Sequence, residues 1–176
     1  HDALVMTVND DQDLYEHGTV LVNDGEIIDV RPSKPEDVEL DAEVVIDGTG
    51  KLVMPGLVNT HTHVELSPTM AGHSDLGDFE LWGYNAPLLT GMGKEELDYL
   101  AEAGAELAAL NFLKSGITTV NTMDTRPSIC AESFGEAGLR GFFGNWISDL
   151  FWDTPVDEQF ERTREFIENY HESYDG

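Results

Sequence analysis

Basic residues are scarce in this chain, which has 9 lysines and arginines against 35 aspartates and glutamates and a formal net charge of −26. A surface this acidic repels phosphate groups, so nucleic acid and anionic membranes are excluded as partners. In molar salt the Debye length shrinks to roughly 3 Å, and neighbouring carboxylates then stop repelling one another. We therefore expect a halophilic protein of the cytoplasm.

Cysteines and long apolar runs are also nearly absent. Cys130 is the single cysteine among 176 residues, so no disulfide can form within the chain. Its place in a predicted helix favours a small buried thiol. No apolar run reaches the ~18 residues that a membrane span requires. Because 40% of the residues are hydrophobic, the composition instead predicts a packed globular protein.

Residues 3–53 are predicted to form short strands separated by turns, without helices. Thr19–Val22 and Glu26–Val30 flank Asn23-Asp24-Gly25, a sequence typical of a tight hairpin turn. A further strand is predicted at Glu43–Ile46. Residues 1–53 are therefore assigned to a small β unit.

After Pro55 the pattern changes to an alternation of strands and helices, which is the signature of parallel βαβ units and of an α/β fold. Strands are predicted at residues 57–63, 117–123 and 140–147, and helices at 94–114, 127–137 and from Pro155 onward. In the helix at 94–114 the predicted inward face consists of Leu97, Leu100, Gly104, Leu107 and Asn111, with Leu110 and Leu113 beside it. In the last helix it consists of Val156, Phe160, Thr163, Ile167 and Tyr170.

The segment Met54-Pro55-Gly56-Leu57-Val58-Asn59-Thr60-His61-Thr62-His63 carries the clearest functional signal. Side chains alternate between the two faces of a strand, so His61 and His63 are predicted to point to the same side. Two imidazoles at the end of a strand can bind one metal ion, and neutral imidazole suits Zn²⁺ or Fe²⁺. The alternative is that both are ordinary polar residues at a strand tip.

Three passages of this chain resemble the amidohydrolase superfamily, and within it the cytosine/nucleoside deaminase and triazine chlorohydrolase group. They are the segment from Leu52 to His63, the segment Leu107–Val120 with its Ser-Gly break, and Glu136-Ala137-Gly138-Leu139-Arg140-Gly141. The resemblance implies that residues 54–176 are the first β/α units of a (β/α)8 barrel. It also implies that residues 1–53 are part of a β-sandwich, although an independent β domain is the alternative.

A complete barrel of this kind needs about 250 residues, whereas 121 residues follow Pro55 in this chain of 176. We therefore expect an N-terminal part of a longer enzyme. The resemblance implies that His61 and His63 are metal ligands. It also implies that the remaining ligands and the catalytic acid/base residue lie beyond Gly176.

The implied activity is that of a metal-dependent hydrolase, an aminohydrolase (deaminase) acting on a C–N bond of a small nitrogen heterocycle through metal-bound hydroxide. One divalent metal ion is expected, zinc in preference to iron, in a homo-oligomer. Two alternatives are kept: a dechlorinating or amide-cleaving amidohydrolase, and a non-catalytic metal-binding or interaction fragment. Ala71-Gly72 and Leu89 depart from the positions that nucleoside deaminases of this group use, which argues against a nucleoside substrate.

Two further residues are candidates for substrate binding. Glu65 continues the i, i+2 series after His63, so it would face the barrel mouth, although a solvated loop carboxylate is the alternative. Trp82 would stack on a flat ring, or else anchor a loop to the core. Asn121 and Asp124, near the end of the second strand, are predicted to make strand-end or capping hydrogen bonds.

Overall fold

The computed structural model describes residues 1–70, 77, 80, 83, 85, 87–88, 91–149 and 154–174. Two compact units are distinguished, His1–Pro55 and Gly56–Gly176. Trp82, Ala71-Gly72 and Leu89 lie outside the described residues. Within the described part of the chain, no helix combines the length and the apolar character needed to span a membrane.

The first unit contains a four-stranded sheet in the order β3-β2-β1-β4. The strands are β1 (Ala3–Met6), β2 (Leu14–Asn23), β3 (Glu26–Pro32) and β4 (Leu52–Val53). β2 pairs antiparallel with β1 and β3, whereas β1 pairs parallel with β4. The predicted hairpin is confirmed: Asp24 and Gly25 both have positive φ, at 50° and 80°, as a two-residue turn between twisted strands requires.

Two predictions for this unit are wrong. Residues 43–46 form no strand, and the side chains of Val44, Val45 and Ile46 are exposed. A 3-10 helix, Pro35–Glu39, occurs where no helix was expected. Its cause is local, because the buried carboxylate of Asp37 accepts a hydrogen bond from the backbone N–H of Lys34 (2.9 Å) and so closes a turn that Pro35 begins.

The second unit contains a parallel sheet in the order β5-β6-β7, so the predicted α/β class is confirmed. Its strands are β5 (Leu57–Thr62), β6 (Ile117–Asp124) and β7 (Arg140–Asn145). The described helices are α1 (Ser67–Met70), α2 (Lys94–Lys114), α3 (Pro127–Glu136) and α4 (Val156–Tyr170). Because the strands are parallel, their carboxyl ends meet at one edge, where side chains from separate parts of the chain can form a site.

The core of this unit lies between the sheet and helices α2 and α3. Its buried members are Val64, Ala105, Ala108, Ala109, Val120, Cys130, Phe134 and Leu139. Cys130 is fully buried, which confirms the expectation of a structural thiol, and burial raises the pKa of the thiol far above its usual range.

The predicted inward face of α2 is confirmed at Gly104, half-buried at Leu97 and Leu100, and wrong for the three later leucines. Leu107, Leu110 and Leu113 are 42%, 55% and 48% exposed. The buried residues of the helix are small: Ala101, Gly104, Ala105, Ala108 and Ala109. The reason is a close approach of backbones, since a Cβ added at Gly104 would lie 2.6 Å from the carbonyl oxygen of Glu65. Even a methyl group does not fit at Gly104 without movement, and the other buried residues of this face are alanines.

Helix α4 also differs from the prediction. It begins at Val156, with Pro155 as the capping residue rather than the first helical residue. Phe160 and Ile167 were expected inside but are 47% and 53% exposed. Gln159 is buried instead, because its amide bonds the preceding loop: Nε2 donates to the carbonyl oxygens of Ser148 (2.9 Å) and Thr154 (2.7 Å). A buried amide with satisfied hydrogen bonds can replace an apolar side chain.

Candidate metal centre

His61 and His63 lie next to one another at the carboxyl end of β5. Their ring centroids are 5.2 Å apart and the ring planes meet at 88°. His61 is exposed and His63 is half-buried. The i, i+2 spacing thus brings the two imidazoles side by side, as binding of one cation by both rings requires.

The ring of His63 is oriented by the neighbouring strand. Its Nδ1 lies 2.6 Å from the backbone carbonyl oxygen of Met123, near the end of β6. A carbonyl oxygen can only accept a hydrogen bond, so Nδ1 is the donor, and in the neutral ring Nε2 carries the free lone pair. This is the usual arrangement of a metal-binding histidine, in which the nitrogen away from the metal donates to an oxygen.

Trp146, directly after β7, stands beside this histidine. Its ring centroid is 6.4 Å from that of His63, with the planes tilted by 40°. Its backbone N–H donates to the carbonyl oxygen of Asp124 (3.1 Å), which ties the end of β7 to the end of β6. Its position directly after the third parallel strand is the sequence signal that points to it.

Glu65 is buried, 4% exposed, and its carboxylate binds the end of β6. It accepts hydrogen bonds from the backbone N–H (3.0 Å) and hydroxyl (2.8 Å) of Thr125 and from the backbone N–H of Arg126 (3.0 Å). Burial, with the nearby carboxylate of Asp124, raises the pKa of Glu65, and the Thr125 bonds oppose that shift. These contacts give Glu65 a structural task; its predicted contact with substrate stays a prediction.

Asp124, at the end of β6, binds in the opposite direction to the backbone that follows β5. It is 2% exposed, and its Oδ1 accepts hydrogen bonds from the backbone N–H groups of Val64 (3.0 Å) and Glu65 (3.3 Å). Asn121 Nδ2 donates to the carbonyl oxygen of Thr60 (3.1 Å). The predicted strand-end hydrogen bonds of Asp124 and Asn121 are therefore confirmed.

The donor chemistry of the two histidines fits a divalent cation such as Zn²⁺ or Fe²⁺. A catalytic site needs at least three protein ligands. Among the residues that the structure describes, no group of three or more His, Cys, Asp or Glu side chains is arranged to hold a metal ion. The described residues thus offer one pair of imidazoles whose chemistry suits a divalent cation.

A groove of about 960 Å³ lies between the first turns of α2 and α3 and one side of α4. Glu65, Arg126 and Trp146 line it, but His61 and His63 do not. Arg126 is held there by an ion pair with Asp98, whose Oδ1 lies 2.7 Å from Nε. The groove therefore runs beside the histidine pair and is not the site that the pair forms.

Comparison with known proteins identifies relatives along nearly the whole chain. Residues 52–175 match the model of the Amidohydrolase family. The chain is 36% identical over 138 residues to a 5'-deoxyadenosine deaminase of Methanosphaera stadtmanae, covering 77% of this chain and 31% of that protein. It is 29% identical over 174 residues to a 5-methylthioadenosine/S-adenosylhomocysteine deaminase of Bacillus cereus, covering 96% and 39%.

Among solved structures, a triazine hydrolase from Arthobacter aurescens superposes with a TM-score of 0.70 at 18% identity, covering 96% of this chain and 41% of that one. That similarity concerns the fold alone. The chain spans between 31% and 39% of the length of the two deaminases. Since the family model covers well over half of the chain, the resemblance seen in the sequence is confirmed and this protein belongs to the amidohydrolase family.

Proposed function

We propose that the whole protein is a metal-dependent aminohydrolase, which uses water to remove an amino group from a nitrogen heterocycle. The observation that carries this proposal is the pair of imidazoles with centroids 5.2 Å apart at the carboxyl edge of a parallel sheet, in a chain of the amidohydrolase family. The deaminase names of the two relatives support the reaction type.

We propose further that residues 54–176 are the first β/α units of a (β/α)8 barrel and that residues 1–53 are part of a β-sandwich. The three parallel strands with helices between them support the first assignment. The similarity to the triazine hydrolase over 96% of this chain supports both.

In this proposal His61 and His63 would hold one divalent cation, zinc in preference to iron. A cation held there would supply a hydrolytic nucleophile at neutral pH, because it lowers the pKa of water from 15.7 to about 7. His63 would bind through Nε2, since Nδ1 is engaged with Met123. Trp146 would limit access of water on its side of His63. None of the described residues is proposed as the proton-transferring residue.

The substrate class that we favour is an aminated purine-type ring, because both deaminase relatives are named for adenosine derivatives. The departures at Ala71-Gly72 and Leu89 argue against recognition of the ribose in the manner of nucleoside deaminases. A triazine ring is the second candidate, because the sequence passages also resemble the triazine chlorohydrolase group. Homo-oligomerisation and a halophilic cytoplasmic setting complete the proposal.

The decisive experiment combines metal analysis with a substrate panel at high salt. The full-length protein would be supplied with adenosine derivatives, free purine and pyrimidine bases, aminotriazines and chlorotriazines, and both ammonia and chloride would be measured. We expect ammonia from at least one aminated ring. Release of chloride alone would favour the dechlorinating alternative, and no turnover with stoichiometric metal would favour a non-catalytic metal-binding protein.

The ligand assignment is tested with His61→Ala. We expect this variant to lose both bound metal and turnover. His171→Ala is the matched control, because His171 is an exposed histidine of the same unit, directly after α4. Stoichiometric metal in His61→Ala would refute the assignment, as would equal losses in the control.

A further inference from the structure

We propose that Asp124 and Glu65 are positioning residues that fix His63 in the orientation needed to bind a cation. The proposal rests on the function proposed above and extends it to two carboxylates that would not touch the metal or the substrate.

His63 needs such support because it lies past the end of its strand. β5 ends at Thr62, whose register partner on β6 is Thr122. The following N–H groups, those of Val64 and Glu65, are held by a side chain: both donate to Oδ1 of Asp124, at 3.0 Å and 3.3 Å. The backbone directly after His63 is therefore anchored to the last residue of β6.

Glu65 makes the reciprocal connection from β5 to β6. Its carboxylate accepts from the backbone N–H groups of Thr125 and Arg126, the two residues that follow Asp124. Each segment thus contributes a buried carboxylate that binds the backbone of the other. Two such connections, in opposite directions, prevent the two strand ends from sliding past each other.

The ring of His63 is held by the same piece of chain. Its partner is the carbonyl oxygen of Met123, the residue immediately before Asp124. The acceptor for the ring and the acceptor for the following backbone are therefore adjacent in sequence. A shift of the end of β6 relative to β5 would lengthen the hydrogen bond between Nδ1 of His63 and the carbonyl oxygen of Met123. It would also turn Nε2 of His63 away from the point where a cation would bind. Losing oxygen partners that orient a ligand in this way lowers metal affinity about 10–100-fold.

The test measures the Zn²⁺ dissociation constant of the full-length protein by competition with a chelator, together with the visible spectrum of the Co²⁺-loaded protein. Asp124→Ala is expected to weaken Zn²⁺ binding about 10–100-fold and to alter the Co²⁺ bands. Asp124→Asn keeps the Oδ1 acceptor, so it should restore most of the affinity and the wild-type bands. Glu65→Ala should act in the same direction as Asp124→Ala.

Asp37→Ala provides a matched control from the other unit. Asp37 is likewise buried, and it accepts hydrogen bonds from a backbone N–H, that of Lys34, and from a hydroxyl, that of Thr19. Its loss should lower stability while leaving the Zn²⁺ dissociation constant unchanged. A loss of affinity equal to that of Asp124→Ala would show that general destabilisation explains both effects, and would overturn the proposal.

The outcomes separate this proposal from the function on which it rests. Metal retained in His61→Ala refutes the metal site itself. Metal lost in His61→Ala, with wild-type affinity and spectrum in Asp124→Ala, refutes only the positioning role. Should Asp124→Ala not fold, nuclear magnetic resonance of the wild type decides. Protected amide protons at Val64 and Glu65 and the Nδ1–H tautomer of His63 are expected, and rapid exchange or the Nε2–H tautomer would overturn the proposal.

Discussion

Replacing Gly104 with alanine probes how closely helix α2 approaches the segment that follows the candidate ligands. A Cβ at this position would lie 2.7 Å from the carbonyl oxygen of Val64 and 2.6 Å from that of Glu65. Both atoms belong to the backbone, so they cannot turn aside as the end of a flexible side chain would. The N–H groups of the same two residues are bound to Asp124. The methyl group can be accommodated only if the helix or this segment moves.

Two opposing contributions determine the size of the effect. Alanine is preferred to glycine in a helix interior by about 1 kcal/mol. Overpacking of a close contact costs about 1–3 kcal/mol, and contact with two fixed carbonyl oxygens places Gly104 near the upper end of that range. We expect Gly104→Ala to lower the free energy of unfolding by about 1–2 kcal/mol and Tm by roughly 5 °C.

Thermal and urea unfolding, followed by circular dichroism at constant salt, measure this change. Glu102→Ala is the control, because Glu102 is exposed on the same helix and should change stability by less than about 0.5 kcal/mol. Gly104→Ala should also weaken Zn²⁺ binding, since the displaced segment begins directly after His63. A variant stabilised by the full helix preference of about 1 kcal/mol would refute the close approach.

Three further expectations concern charge. The hydrogen bonds of Arg31, Thr19 and Lys34 to Asp37 hold the pKa of that carboxyl far below its usual range. Its contribution to stability is therefore complete above about pH 4, the pKa of an aspartate in the unfolded chain, and is lost as the pH falls below that value. Asp37→Asn should consequently show a shallower loss of Tm between pH 5 and 3 than the wild type. The Tyr170 hydroxyl donates a hydrogen bond to Glu132, which raises the pKa of Tyr170 to about 12. The stability that this hydrogen bond contributes is complete below about pH 10 and is lost as the pH rises through 12. Ultraviolet titration of Glu132→Gln should show one tyrosine ionising at a lower pH than in the wild type. Because 35 acidic residues face 9 basic ones, Tm should rise steeply between 0.1 M and 3 M KCl, and a Tm independent of salt would contradict the halophilic interpretation.

The elements that the sequence predicted well are those specified by local signals. Helix α2 was predicted with the bounds that it has, Lys94–Lys114, because residues repeat at helical spacing along it up to the Ser-Gly break that ends it. The hairpin at Asp24-Gly25 follows from the need of both residues for positive φ. The alternation of strands and helices after Pro55 indicated the parallel sheet, because the hydrophobic pattern of each element is local to that element.

The orientation of the helices was not predictable in this way. Hydrophobicity alone assigned Leu107 and Leu110 to the core, yet the buried face of α2 is made of alanine and glycine. This face is the buried one because the helix packs at a short distance from the chain at Val64 and Glu65. The sequence of neither segment alone determines how closely the two pack. Gln159 illustrates the converse, because a polar residue becomes buried when neighbouring carbonyl groups satisfy its amide.

The same distinction applies to the site. The histidine pair depends on an i, i+2 spacing and was visible in the sequence. The reciprocal hydrogen bonds that the carboxylates of Glu65 and Asp124 accept, in contrast, join residues about 60 positions apart. Those hydrogen bonds form only because Thr62 is in register with Thr122. A slip of one residue would turn Asp124 to the opposite face of the sheet, so it could no longer bind the backbone beyond His63. The orientation of His63 is therefore a property of strand register, and any substitution that changes the register of β5 against β6 should impair metal binding even when both histidines are intact.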